Sequence, residues 1–162
     1  MFHSITRNAV VVCLSTLAVA CGPGAPVTSP APPAPATAAN PAAPKPADAT
    51  LKIVSPAQDG VLSGGSIKVS INYTGPTLVP GAEARNLDDY HLHYFLDEDA
   101  SGYINGGKSI PAGNPHIMHS AAKEVSFDNL TPGRHSLVVV MSGNNHVPVA
   151  PALTDSVTFT IQ

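Results

Sequence analysis

The sequence predicts an all-β protein, an immunoglobulin-like β-sandwich of about seven strands following a disordered N-terminal tether. Three observations lead there. Residues 50–162 carry several short runs in which apolar and polar side chains alternate with period two. Glycine and proline turn pairs separate those runs. No stretch has a convincing helical periodicity. A small β-barrel is the alternative way to close the same strands.

Taken in chain order, residues 1–20 read as an export signal rather than as part of the fold. A single cation, Arg7, precedes the mostly apolar run Ala9–Ala20, which is too short to span a bilayer but has the length of a signal-peptide core. Leu17-Ala18-Val19-Ala20-Cys21-Gly22 resembles the lipobox of bacterial lipoproteins, which implies that Cys21 is acylated and becomes the N-terminus. Ala18-Val19-Ala20 also fits the A-x-A box of ordinary secretion, so plain release is the alternative. Residues 21–49 are then the lipidated cysteine and a Pro/Ala-rich linker, too poor in large apolar side chains to offset the entropy of ordering it. As polyproline II it would reach up to roughly 80 Å from a membrane. The expected location is the cell envelope, anchored by lipid, with a mild preference for the outer membrane or the periplasmic face.

At Thr50 the composition changes and the β domain, residues 50–162, begins. Leu51 and Ile53 open a first strand. Ile67, Val69, Ile71 and Tyr73 alternate with Ser66, Lys68, Ser70 and Asn72 as a half-buried second one. His91 to Asp97 puts Leu92, Tyr94 and Leu96 on one face, and Val125 and Phe127 mark a short strand. His135 to Met141 is apolar on both faces, as a central strand would be. Val157, Phe159 and Ile161 close the domain. With Cys13 in the signal and Cys21 lipidated, the domain holds no thiol, so disulfides and thiolate metal sites are excluded and stability must come from the core.

Composition excludes some functions. The charge is mildly acidic, 8 Lys+Arg against 11 Asp+Glu, with no basic patch for nucleic acid or anionic lipid. No G-x-S-x-G elbow occurs, and the paired carboxylates of Glu83–Asp99 sit in loop-like sequence, so the domain is not expected to be an enzyme.

Six histidines fall in the β domain: His91, His93, His116, His119, His135 and His146. His91 and His93, two apart in a strand, point to the same side at roughly 6.5 Å, opposite the expected core face. Imidazoles so placed can converge on one ion, with further ligands from His119 and His146 and with His116 and Met118 as alternates. Imidazole suits copper and zinc, and a thioether from Met118 or Met141 would favour Cu(I). The bland alternative leaves His91 and His93 as solvent-facing strand residues. His135 stands at a turn where immunoglobulin-like domains place a packing, hydrogen-bonding aromatic, so a structural use is expected of it. A second constellation, Asp97–Asn105, resembles the first nine positions of a calcium loop, but Lys108 stands where the bidentate Glu should be, and an acidic solvated loop accounts for the same residues.

HLHYFLD (His91–Asp97), HIMH (His116–His119) and PGRHSLVVVMSGNNHVP (Pro132–Pro148) together resemble a group of uncharacterised exported bacterial domains with HxHxxxD, PGxHxL and NHxP motifs. The resemblance covers roughly residues 51–162 and implies an immunoglobulin-like sandwich in a periplasmic or surface protein. It leaves two functions open. One is capture or delivery of copper or zinc through His91, His93, His119 and His146. The other is a non-catalytic protein- or glycan-interaction module, in which the same histidines form a hydrogen-bonded structural network.

Overall fold

The computed structural model describes residues 40–162. The export signal, Cys21 and the tether as far as residue 39 lie outside the described residues. Eight strands and one helical turn follow in order: β1 (Thr50–Ser55), β2 (Gly60–Leu62), β3 (Ile67–Thr74), β4 (His91–Leu96), α1 (Ser101–Ile104), β5 (Ile117–Ser120), β6 (Glu124–Phe127), β7 (Gly133–Ser142) and β8 (Thr154–Ile161). They form two sheets, β1-β3-β6 and β2-β8-β7-β4-β5. This is the expected sandwich and not a closed barrel. The first edge of the chain divides between the sheets: β1 pairs antiparallel with β3, whereas β2 crosses over to run parallel to β8.

Alternation builds the core between the sheets. Ile67, Val69, Ile71 and Tyr73 of β3 point inward against Leu92, Tyr94 and Leu96 of β4, Leu137, Val139 and Met141 of β7, and Phe159 of β8. Sequence reading missed β2 and β5. The former is three residues long with Val61 exposed, and the latter, IMHS, has no apolar alternation. Helix α1 is a single turn with no buried residue, too short to show a period.

Strand β4 is buried along its whole length, so both faces of the five-stranded sheet are covered at that point. Its odd residues, His91, His93 and Phe95, face outward. There the β4–β5 connection, residues 97–116, folds back across the sheet and buries Phe95, Ala100, Ile110, Ile117 and Val140 together as a second small core.

The domain also begins earlier than the composition break at Thr50 indicates. Pro44 makes a parallel bridge to Ala150, the Ala150 N–H donates to the Ala43 carbonyl (3.0 Å), and the Tyr90 hydroxyl donates to the Pro44 carbonyl (2.8 Å). The last ten residues of the expected linker therefore lie on the domain, with Ala43 and Ala49 buried. Proline suits this strap, because an edge segment can spare amide donors that a central strand cannot.

Candidate metal centre

The outward face of β4 ends in the cluster that the spacing anticipates. His91, His93, His119 and His146 each offer a ring nitrogen, and these four atoms lie within 4.8 Å of one another. Register explains most of this. His93 on β4 is directly opposite His119 on β5, and their ring centroids are 4.2 Å apart. His91, two residues back on the same face, is 4.7 Å from His93 between centroids. His146 comes from the loop after β7, where its amide donates to the Gly143 carbonyl (3.0 Å) and its backbone is left-handed, φ 61°. Gly143 is required here because a Cβ would collide with the Leu87 carbonyl and crowd Ala43.

Both the strap and the 97–116 excursion pin that loop. Asn145 donates through its side chain to the Pro41 carbonyl (2.7 Å), and its own carbonyl accepts from the Ser109 hydroxyl (2.9 Å). The Ile110 amide donates to the His146 carbonyl (2.8 Å). The fourth histidine is thus held from three directions.

Hydrogen bonds around the cluster assign the tautomers. The Ser142 hydroxyl donates to the Gly143 carbonyl (3.1 Å), so its lone pairs face His93 Nδ1 (3.2 Å) and, more loosely, His91 Nε2 (3.5 Å). Those two nitrogens carry the protons, which leaves the lone pairs of His93 Nε2 and His91 Nδ1. His119 Nε2 faces the Pro111 carbonyl (3.1 Å), which can only accept, so the lone pair of His119 is on Nδ1. His93 Nε2 in turn lies 3.3 Å from His146 Nδ1. His91 Nδ1 is sealed from water without a hydrogen-bond partner; a backbone group of Asp89 approaches the ring but leaves that nitrogen unpaired.

The site keeps its imidazoles neutral. Burial, then the neighbouring His146 and His119, pushes His91 down to about 4. Burial, then His91, His119 and His146, takes His93 down to about 2. Burial lowers His119 and His146 as well, His119 with a further push from His146. No carboxylate enters the group, so the four rings gather with no counter-charge of their own. A neutral imidazole is the form that binds a metal.

Other sequence candidates fall outside the cluster. His116 is exposed and lines a groove with Leu96, Phe127 and His135. Met118 is opposite Tyr94 in the register and packs on the main core, where Met141 is fully buried, so no thioether reaches the imidazoles and the reason for preferring Cu(I) falls away. His135 is structural, as expected. Nε2 donates to the Thr131 carbonyl (2.8 Å) and Nδ1 to Asp97 Oδ2 (2.7 Å). Burial acts against its charge, but the bonds to Asp97 and Thr131 outweigh burial and raise its pKa.

The carboxylates of the calcium-like loop have protein partners. Asp97 is spent on His135 and the Ser136 amide (2.8 Å), and Asp99 on the Ser101 amide and hydroxyl. Among the described residues the four histidines are the one group of three or more His, Cys, Asp or Glu side chains whose ligand atoms gather closely enough for an ion. What sequence reading missed was the supporting shell: Ser142, the Pro111 carbonyl and Asn145. Ser142 alone carried a hint, as a polar residue directly after the apolar run Leu137–Met141 and paired with His91 in the register.

No family model matches the chain, and no curated protein matches it. Solved structures resemble it at low identity. An engineered protein has 10% identity and a TM-score of 0.43 over 73% of this chain and 21% of its own. The fibronectin(III)-like modules of Clostridium thermocellum CbhA have 14% identity and a TM-score of 0.41, covering 70% of this chain and 46% of theirs. The PKD domain of human KIAA0319 has 12% identity and a TM-score of 0.37, covering 80% and 92%. The chain thus spans about a fifth and under half of the length of the first two.

Proposed function

We propose that this domain binds one copper or zinc ion through His91, His93, His119 and His146, as a lipid-anchored module for metal capture or delivery at the cell envelope. The observation that carries the reading is the convergence of four imidazole ring nitrogens within 4.8 Å of one another, among them His91, whose buried Nδ1 has no hydrogen-bond partner. Leaving such an atom unpaired costs about 1–3 kcal/mol, and a cation among the four nitrogens removes that cost. In a tetrahedral site with 2.0–2.1 Å bonds, ligand nitrogens lie about 3.3 Å apart. His93 Nε2 and His146 Nδ1 are already at 3.3 Å, and the spread of up to 4.8 Å among the others closes by small ring rotations. An all-imidazole donor set suits zinc and copper and offers calcium no oxygen. Acylation of Cys21 would hold the module at the membrane.

Isothermal titration of the full chain with Cu(I), Cu(II), Zn and Ca tests this. One-to-one sub-micromolar binding of copper or zinc is expected, lost in His91→Ala/His93→Ala and also in His119→Ala, whose side chain is only half buried and whose loss threatens folding least. Copper and zinc binding no tighter than about 0.1 mM would overturn the proposal and return the domain to an interaction module.

A further inference from the structure

The four histidines are not equally enclosed. His91 and His93 are both fully buried and His119 and His146 half-buried, and His91, His119 and His146 line a cavity of about 520 Å³. Pro80, Gly81, Ser120, Ala121 and Ala122 complete the lining. That volume is an order of magnitude more than the roughly 30 Å³ a water molecule occupies. It falls within the range of small-molecule sites.

Resting on the metal reading above, we infer that the bound ion, held by four imidazoles, takes up a fifth coordination position toward this cavity and accepts there a small monodentate donor ligand. The lining supports it. Structural zinc sites close four ligands around the ion and shield it, whereas a site with a free side can expand from four ligands to five. Here His91, His119 and His146 all line the cavity, so the free side is defined.

The lining also states what the ligand is. It holds neither a carboxylate nor a basic side chain, and apart from the histidines only Ser120 is polar, its Oγ accepting from the Ala122 amide (3.0 Å). Nothing there would select a highly charged or extended molecule. Recognition must come from the metal itself, which limits the ligand to a compact neutral or singly charged donor. The same opening gives an incoming donor a path to displace an imidazole, so metal would enter and leave by ligand exchange through this side.

The probe is azide, added to the full chain loaded with Cu(II) or Co(II), with the visible spectrum as readout. A saturable spectral change is expected. The diagnostic variant is Gly81→Phe. The Gly81 backbone is not left-handed, and a Cβ there meets nothing within 4 Å, so a side chain can start from this lining residue without strain and narrow the cavity. It should weaken azide binding at least about tenfold while metal affinity stays within about twofold. A loaded protein whose spectrum ignores azide overturns the open position, and an azide response unchanged in Gly81→Phe overturns this cavity as its route. Failure to load any metal overturns instead the underlying reading, so the two failures are distinguishable.

Discussion

Ser142→Ala separates a metal site from a set of histidines that merely pack together. Ser142 is fully buried and its hydroxyl has two tasks, donating to Gly143 and accepting from His93 Nδ1. Alanine removes both and leaves the buried His93 N–H without its acceptor, while the Gly143 carbonyl keeps the His146 amide, at a cost of about 1–3 kcal/mol of stability. It also frees His93 to move its proton to Nε2, the nitrogen that would hold the ion. Loss of such an outer partner weakens metal affinity by about 10–100-fold, equivalent to about 1.4–2.7 kcal/mol. The affinity loss should therefore appear in chelator-competition titrations, beside a separate stability loss in urea melts of the metal-free protein. A Ser142→Ala protein with reduced stability but unaltered affinity would refute the tautomer assignment. One with neither change would refute the hydrogen bond itself.

Three further expectations concern pH and packing. The metal-free protein should lose stability on acidification below the unfolded imidazole pKa of about 6.5. His91 and His93 stay neutral when folded, down to about 4 and about 2, so the unfolded chain binds more protons and each contributes up to about 1.4 kcal/mol per pH unit. Urea melts should fall by roughly 2 kcal/mol between pH 6 and 5, and a flat profile would contradict their buried, neutral state. His135 has the opposite sign: its folded pKa is raised, so the bond to Asp97 stabilises fully below the unfolded value and fades as pH rises through the folded one. Asp97→Asn should cost about 1 kcal/mol at pH 6, discounted for the partial exposure of Asp97, and clearly less at pH 8.5; equal losses at both would show that charge is not involved. Phe95→Ala should cost about 3–5 kcal/mol and weaken metal binding in calorimetry, because the small core it anchors carries the Pro111 carbonyl and the Ile110 contact to His146. Full affinity in that variant would show the cluster to be independent of the excursion.

Much of this architecture was legible in the chain because period-two alternation is a local property. Ile67–Tyr73 and His135–Met141 announce their strands without reference to anything distant. The pair His91/His93 was legible for the same reason, since strand geometry fixes the side to which residues i and i+2 point. The excursion was not, because its burial depends on Ile110 meeting Phe95 and Val140 across the sheet. Nor was the strap at 41–46, whose Pro/Ala composition reads as disorder until Ala150 and Asn145 offer it partners. Calcium was suggested by oxygen spacing alone, and spacing does not reveal that Asp97 is engaged by His135. Met118 was offered as a ligand without its register, which turns it to the opposite face from His119.

The outer face of the five-stranded sheet supplies its own comparison between packing and function. At Phe95, Val138 and Val140 that face is closed with apolar side chains, and the excursion packs over them as an ordinary small core. At His91 and His93, on the same strand and face, the covering is made of imidazoles instead. If these rings were only a structural hydrogen-bonded network, the buried His91 Nδ1 would have a partner, as His93 Nε2 has in His146 Nδ1 at 3.3 Å. An apolar residue at position 91 would fill the same space without the cost of an unpaired nitrogen. Local choices that forgo stability in this way concentrate at functional sites. The three other rings each bring a nitrogen within 4.8 Å, so a cation held by the proposed site would recover the stability forgone at His91.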